Sequence, residues 1–172
     1  MVLPDEARRS VVSYLVHQGS KDAPAIVAVI ERERRRLTSL LASVSQEQAE
    51  FVSSPGQWSI RDVVRHVAGT ERGAARIIAE LAGAVEPAEG PAVAGQSLDE
   101  LDELREELRE ARAQLLQVVE GLGEDARLEA KHDHPFFGSL SWKEWLAFQR
   151  VHDGDHIQQI EAIQRSPLYP RA

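Results

Sequence analysis

A stretch rich in Gly, Pro and Ala, residues 83–96, most constrains how this chain can fold. It shows no apolar periodicity and separates two pairs of long amphipathic segments, so we interpret it as a connector. About 14 extended residues reach roughly 45 Å, which exceeds the length of a helix of about 23 residues. The chain can therefore cross a bundle from end to end, and the next helix can start parallel to the previous one.

Four long segments carry apolar residues at steps of three or four, which places those residues on one face of a helix. The segments are residues 22–44, 59–82, 97–121 and 141–164. A serine followed three residues later by Glu or Gln, the spacing of a capping box, predicts helix starts at Ser45, Ser97 and Ser141. We therefore predict an all-α fold, a four-helix bundle of up-down-down-up order, with a long crossover between helices 2 and 3.

We divide the chain into three parts. Residues 1–21 form an N-terminal extension with a short helix, residues 22–166 form the bundle, and residues 167–172 form a tail. No strand signal competes with the helices, and the histidine-containing stretch before the last helix is predicted to be a loop. The charged run at residues 31–36, ERERRR, is predicted to be a solvated helix face.

Composition narrows the classes of function. The 172 residues carry a net charge of -8, which argues against a nucleic acid or an anionic membrane as partner. The sequence has no cysteine, so thiol chemistry would need an external thiol and a reducing compartment is compatible. We see neither a signal peptide nor an apolar run of the roughly 20 residues that a membrane span needs, so we expect a cytoplasmic protein.

The last predicted helix carries an H-x-x-x-H pair, His152 and His156, in its apolar stripe. Its other members are Trp145, Gln149, Ile160 and Ile163. Two imidazoles one helical turn apart can bind a single cation. Two ligands alone do not make a metal site, and until a third ligand is found, an ordinary pair of hydrogen-bonded core or surface histidines is the better interpretation.

His66 supplies the third ligand if the predicted topology holds. It lies seven residues after the start of its helix, and His156 lies eight residues before the end of the last helix. In antiparallel helices both lie roughly 10–12 Å from the same end of the bundle, at about 1.5 Å per residue. Three histidines would leave coordination positions open, which is the pattern of catalytic rather than structural zinc sites. Zinc, nickel, cobalt and iron all suit such ligands.

Three motifs in these segments match a known family. Residues 58–71 read W-S-x-x-D-x-x-x-H-x-x-x-x-E, residues 152–160 read H-x-x-x-H-x-x-Q-I, and Phe137-Gly138 precedes the last helix. Together they resemble the DinB/YfiT-like superfamily, the damage-inducible metalloprotein type, related to bacillithiol- and mycothiol-dependent transferases. The resemblance runs from residue 22 to residue 164.

The resemblance implies a four-helix bundle with one divalent metal ion, zinc or nickel, on His66, His152 and His156, often in a homodimer. It also implies a metal-dependent thiol S-transferase or thiol-dependent isomerase, in which the metal activates a low-molecular-weight thiol such as bacillithiol or mycothiol toward an electrophile. Two alternatives stay open: a non-catalytic metal-binding or stress-response bundle, and a metal-dependent hydrolase.

Two residues are candidates for a supporting role in the reaction. Gln159 shares the face of His156 and could hydrogen bond to a metal ligand or contact a neighbouring helix. Glu33 lies either at the edge of its helical stripe, in contact with water, or inward as a carboxylate with a purpose. No catalytic residue is assigned from the sequence.

The remaining polar and aromatic residues near the motifs are predicted to have structural roles. Glu71 is rotated away from His66 and is expected to form a structural salt bridge. Asp153 and Asp155 are expected to solvate the helix surface. The other expectations concern His132 and His134, which would bind nothing, and Trp142 and Trp145, which would belong to the core.

Overall fold

The computed structural model describes residues 4–84, 100–123 and 126–171. Four long helices, α2, α4, α5 and α6, form a bundle, and a short helix precedes it. The elements are α1 (Asp5–Gly19), α2 (Ala23–Ala42), α3 (Gln46–Glu50), α4 (Ile60–Ala82), α5 (Leu101–Glu120), β1 (His132–His134), β2 (Gly138–Leu140) and α6 (Trp142–Gln164). Within these residues, no helix is both long enough and apolar enough to cross a bilayer.

Side-chain caps fix the starts of most of the helices. Reciprocal capping boxes open α3 at Ser45, α4 at Ser59 and α6 at Ser141, and Asp22 caps α2. The box predicted at Ser97 does not open α5. Ser97 lies outside the described residues, and its partner Glu100 is the extended N-cap of a helix that begins at Leu101.

Two apolar clusters show how the long helices run relative to one another. The first joins the N-terminal halves of α2 and α6 to the C-terminal halves of α4 and α5, and the second joins the opposite halves. Examples are Ile26, Ile78, Leu115 and Leu146 in the first cluster and Leu41, Val63, Leu104 and Ile160 in the second. Helices α2 and α6 are therefore parallel to each other and antiparallel to α4 and α5. This confirms the predicted up-down-down-up order of the four long helices.

A small β-hairpin stands where the sequence analysis predicted a loop. Strands β1 and β2 pair antiparallel, with His132 opposite Leu140 and His134 opposite Gly138. Gly138 has a φ of 79°, a backbone conformation that glycine adopts without steric cost. Strands of three residues are too short to show the alternation by which a strand is predicted.

Helix α1 packs against α6 through its apolar side. Leu15 of α1 is fully buried in the first apolar cluster, and the Lys143 amine of α6 donates to the carbonyl of Lys21 at 3.1 Å. The division of the chain at residue 22 stays a prediction. The connector predicted at residues 83–96 lies outside the described residues from residue 85 onward.

Four buried charged side chains lie between the two apolar clusters, one from each long helix. They are Arg34, Glu71, Arg112 and Asp153, and none is more than 5% exposed. Arg34 donates to both carboxylate oxygens of Asp153 at 2.9 Å and to Glu71 at 2.7 Å. Arg112 pairs with Glu71 and with Asp153, the latter at 3.1 Å. Two positive and two negative charges thus balance inside the bundle, and we call this group the ion cluster.

The burial of charged side chains in the bundle corrects two predictions and confirms a third. The run at residues 31–36 is not a solvated face throughout, because Glu33 and Arg34 are buried. Asp153 is fully buried and does not solvate the surface of α6. Glu71 does form the structural salt bridge expected of it. Burial of these charges depends on partners from other helices, which the pattern of one segment cannot show.

We predict that Arg34→Met lowers the free energy of unfolding by about 3–5 kcal/mol, because it leaves buried carboxylates with one guanidinium instead of two. The matched control is Arg35→Met, one residue away on the exposed face of α2, which should change stability by less than about 0.5 kcal/mol. Urea unfolding of both variants and the parent measures the difference. Equal stability of the two variants would contradict a structural role for the ion cluster.

Candidate metal centre

Helices α4 and α6 bring three imidazoles together. Because the two helices are antiparallel, His66 near the start of α4 meets His152 at the middle of α6 and His156 one turn later. The Nε2 atom of His152 lies 3.2 Å from that of His66 and 3.2 Å from that of His156. A ligand atom from each of the three lies within 4.8 Å of the others. The structure thus brings together the three predicted ligands.

These distances fit a single divalent ion. Two nitrogens bound at about 2.0–2.1 Å with a tetrahedral angle between them are about 3.4 Å apart. The observed separations of 3.2 Å need little adjustment to reach that value. Among the described residues, the group contains no carboxylate, so it could hold a metal ion through neutral nitrogens alone.

The surroundings favour the neutral form of His152 and His66, the form that metal ligation requires. Burial, followed by the nearby His156 and His66, lowers the pKa of His152 to about 2. Burial and then His156 also lower the pKa of His66. Protons therefore compete weakly for these nitrogens near neutral pH.

Gln159 fixes the orientation of His156. The Nδ1 atom of His156 lies 2.8 Å from the Oε1 atom of Gln159. A carbonyl oxygen can only accept, so Nδ1 carries the proton and the Nε2 lone pair faces the other histidines. Of the two contacts considered for Gln159, the structure shows the one with a predicted metal ligand.

Aromatic side chains border the three histidines on two sides. The Trp58 ring lies 5.0 Å from that of His66 and is nearly parallel to that of His156 at 6.3 Å. It is 42% exposed, so the centre opens to solvent beside an indole. Buried Phe148 lies 5.5 Å from His152 on the other side. Trp58 was predicted only as part of a sequence motif, and Phe148 was not predicted to lie at the site. The spacing of Phe148 from His152, one turn along α6, could have indicated it.

The structure does not bring Glu33 to the three histidines. Glu33 is buried, pairs with Arg36 and Arg150, and lines a cleft of about 340 Å³ with Tyr14. Its Oε1 atom would lie 3.7 Å from a Cβ added to Gly154. Gly154 is two residues from both His152 and His156, which places it on the opposite side of α6.

His134 was predicted to bind nothing. In the structure its side chain is buried among aromatic rings. It is 8% exposed, and its ring lies 4.5 Å from Phe148 and 4.9 Å from Trp145. Its Nδ1 atom accepts from the backbone N–H of Phe136 at 3.2 Å, and burial lowers its pKa to about 4. Trp145 is buried, as is Trp142, in agreement with the expected core role.

The family model described as the DinB superfamily matches residues 30–160. The chain belongs to the DinB superfamily. This DinB-superfamily chain is also similar to the crystal structure of TT2238, a four-helix bundle protein, at 26% identity and a TM-score of 0.63. That match covers 81% of this chain and 98% of TT2238. No curated protein matches the sequence.

A second solved structure shares the fold. It is YfiT from Bacillus subtilis, described as a probable metal-dependent hydrolase with an unusual four-helix bundle topology. The identity is 16% and the TM-score is 0.58, with 95% of this chain and 89% of YfiT covered. At this identity the likeness supports the bundle topology alone.

We predict that the purified protein binds about one divalent ion per chain, and that His66→Ala and His152→Ala each abolish binding at micromolar ion concentration. Elemental analysis after dialysis, with calorimetric titration of zinc and nickel, measures both effects. The control is His17→Ala, an exposed histidine at the end of α1, which should bind as the parent does. Full retention of metal in both triad variants would exclude this site.

Replacing the partner of His156 should weaken metal binding without removing a ligand. We expect Gln159→Leu to lower the affinity for zinc by about 10- to 100-fold, because the ring of His156 loses the hydrogen bond that orients it. Gln158→Leu, at the exposed neighbouring position, should leave the affinity within about twofold. Competition with a chelating dye gives both constants, and equal affinities would show that the hydrogen bond does not support the site.

Proposed function

We propose that this DinB-superfamily chain is a metal-dependent thiol S-transferase or thiol-dependent isomerase. One zinc or nickel ion on His66, His152 and His156 would activate an external low-molecular-weight thiol, such as bacillithiol or mycothiol, toward an electrophilic carbon. The observation that carries the proposal is a set of three imidazole nitrogens that converge beside a solvent-exposed Trp58, with no carboxylate in the group among the described residues.

A divalent cation on the three histidines could activate an external thiol. A bound divalent cation would lower the pKa of a thiol at its open position, so that the thiol would react as a thiolate near neutral pH. The sulfur would form a bond to the electrophilic carbon as the carbon's bond to its leaving group breaks. The leaving group would depart with the electron pair and take up the proton that the thiol gave to solvent.

The side chains around the site would hold and orient the reactants. His66, His152 and His156 would hold the ion, and Gln159 would keep the ring of His156 in the ligating orientation. Trp58 would cover the apolar part of the electrophile on the open side. Phe148 would exclude water from the buried side of His152.

The name of YfiT raises hydrolysis as a second candidate, in which water would be the nucleophile. A general base must lie within hydrogen-bond reach of that water. Glu33, the carboxylate that the sequence offered for this role, lies on the other side of α6 and is paired with two arginines. With Glu33 away from the three histidines, we favour an external thiol, which a bound cation would hold as thiolate near neutral pH.

The proposed thiol chemistry suits a reducing compartment. Low-molecular-weight thiols are kept reduced in the cytoplasm, where we place the protein. The absence of cysteine from the chain removes competing protein thiols. A homodimer, which the family resemblance implies, would also fit this role.

Adduct formation tests the proposal. We expect zinc- or nickel-loaded protein to accelerate the reaction of monochlorobimane with at least one of bacillithiol, mycothiol and glutathione. His152→Ala should return the rate to the uncatalysed value, whereas His17→Ala should not. No acceleration with any of the three thiols across several electrophiles would favour a non-catalytic metal-binding bundle. Metal-dependent hydrolysis of a nitrophenyl ester without thiol would favour the hydrolase.

A further inference from the structure

The cleft beside Glu33 lies on the side of α6 that faces away from the three histidines. Side chains of α1, α2 and α6 form its walls, and its volume is about 340 Å³. Gly154 leaves part of the α6 wall without a side chain. Pockets that bind small molecules usually measure about 300–1,000 Å³. The cleft is therefore large enough for a small ligand, and the metal chemistry proposed above makes no use of it.

A buried carboxylate in this cleft has unused hydrogen-bonding capacity. Glu33 is 6% exposed, and its Oε1 atom accepts from Arg36. Its Oε2 atom lies 3.8 Å from the Nε atom of Arg150, a distance that makes an ion pair but no hydrogen bond. A buried charge is unfavourable unless it is both paired and hydrogen bonded. The Oε2 atom is thus available to a donor on a bound molecule.

The hydroxyl group of Tyr14 lines the same cleft without a partner. Its oxygen is buried and makes no hydrogen bond to any described residue. Arg150 covers the face of the ring, with its guanidinium carbon 5.1 Å from the ring centroid. A buried hydroxyl that lacks a partner is destabilising. A molecule that enters the cleft under the half-exposed Arg150 side chain would supply that partner.

The charges that line the cleft are of both signs. Glu33, Asp155 and Glu161 supply carboxylates, and Arg36 and Arg150 supply guanidinium groups. A ligand with a single charge would meet groups of its own sign. A molecule with an ammonium and a carboxylate can instead insert into the loose ion pair between Glu33 and Arg150, with each of its charges beside the opposite one.

We propose that this cleft binds an aliphatic α-amino acid. The ammonium would donate to the Oε2 atom of Glu33 and to the hydroxyl oxygen of Tyr14, and the carboxylate would accept from the guanidinium of Arg150. The aliphatic side chain would contact Val11 and Val151, which also line the cleft. Because the cleft lies across α6 from the three histidines, this binding site is independent of the thiol function proposed above.

L-leucine and two analogues that each lack one charge test the proposal. Leucine methyl ester keeps the ammonium, and N-acetyl-leucine keeps the carboxylate. We expect the parent protein to bind L-leucine with a dissociation constant of about 1 mM or lower. Each analogue should bind at least about 10-fold more weakly, because it leaves either Glu33 or Arg150 without its new partner. NMR titration of isotopically labelled protein measures all three constants.

Two substitutions examine the polar groups of the cleft. Glu33→Gln should weaken the binding of L-leucine by at least about 10-fold, because an amide presents no charge to the ammonium. Tyr14→Phe removes only the hydroxyl and should weaken binding by about 3- to 10-fold. The matched controls are Glu47→Gln on exposed α3 and Tyr169→Phe beside Phe51, which should bind as the parent does. The analogue series uses the parent protein, so it remains decisive if a variant does not fold.

The metal centre needs its own control, because amino acids also bind divalent ions through the amine and the carboxylate. His152→Ala should bind L-leucine with the affinity of the parent. Loss of binding in His152→Ala would assign the amino acid to the metal ion and overturn the proposal.

Three other outcomes would overturn the proposal as well. Absence of saturable binding of L-leucine would exclude an amino-acid site. Equal affinities for L-leucine and its methyl ester would show that the cleft binds an amine. Unchanged affinity in both Glu33→Gln and Tyr14→Phe would place the amino acid elsewhere on the protein. None of these results bears on the thiol function, which adduct formation tests separately.

Discussion

The ion cluster of Arg34, Glu71, Arg112 and Asp153 is the constraint on which the rest of the structure depends. Each long helix contributes one member, and removal of any one leaves two opposite charges buried with one counter-charge instead of two. The group lies between two apolar clusters that would tolerate small rotations and slides, because apolar contacts are not directional. The paired guanidinium and carboxylate groups require a definite geometry, so they fix the rotation of each helix about its axis.

The fixed rotation of α4 and α6 about their axes determines where the three histidine side chains point. Asp153 follows His152 directly in α6, so the bonds from Arg34 and Arg112 that hold Asp153 inward also set the direction of the neighbouring imidazole. His156 follows one turn later and is oriented by Gln159. On α4, Glu71 lies five residues after His66 and is held by both arginines. Both helices that carry the predicted metal ligands are thus anchored within about one and a half turns of those histidines.

The site is asymmetric, and the asymmetry bears on its chemistry. Phe148 closes the side toward the hairpin, and Trp58 and the exposed His66 border the side toward solvent. Three buried carboxylates of the described residues are committed elsewhere: Asp153 and Glu71 pair with arginines, and Glu33 lies across α6 beside Arg150. The exposed side beside Trp58 is where an external thiol of the proposed kind would reach the three histidines.

Local sequence determined the helices and the three candidate ligands, because capping and apolar periodicity act within one segment. Ser141 and its partner Glu144 open α6 where the spacing predicted. The length of the connector predicted the antiparallel α4 and α6 that bring His66 to His156. Only the tertiary structure decided that Arg34, Glu33 and Asp153 are buried, since burial of a charge depends on counter-charges contributed by other helices. The hairpin that buries His134 was likewise beyond the sequence pattern, because strands of three residues gain their stability from pairing and packing rather than from periodicity.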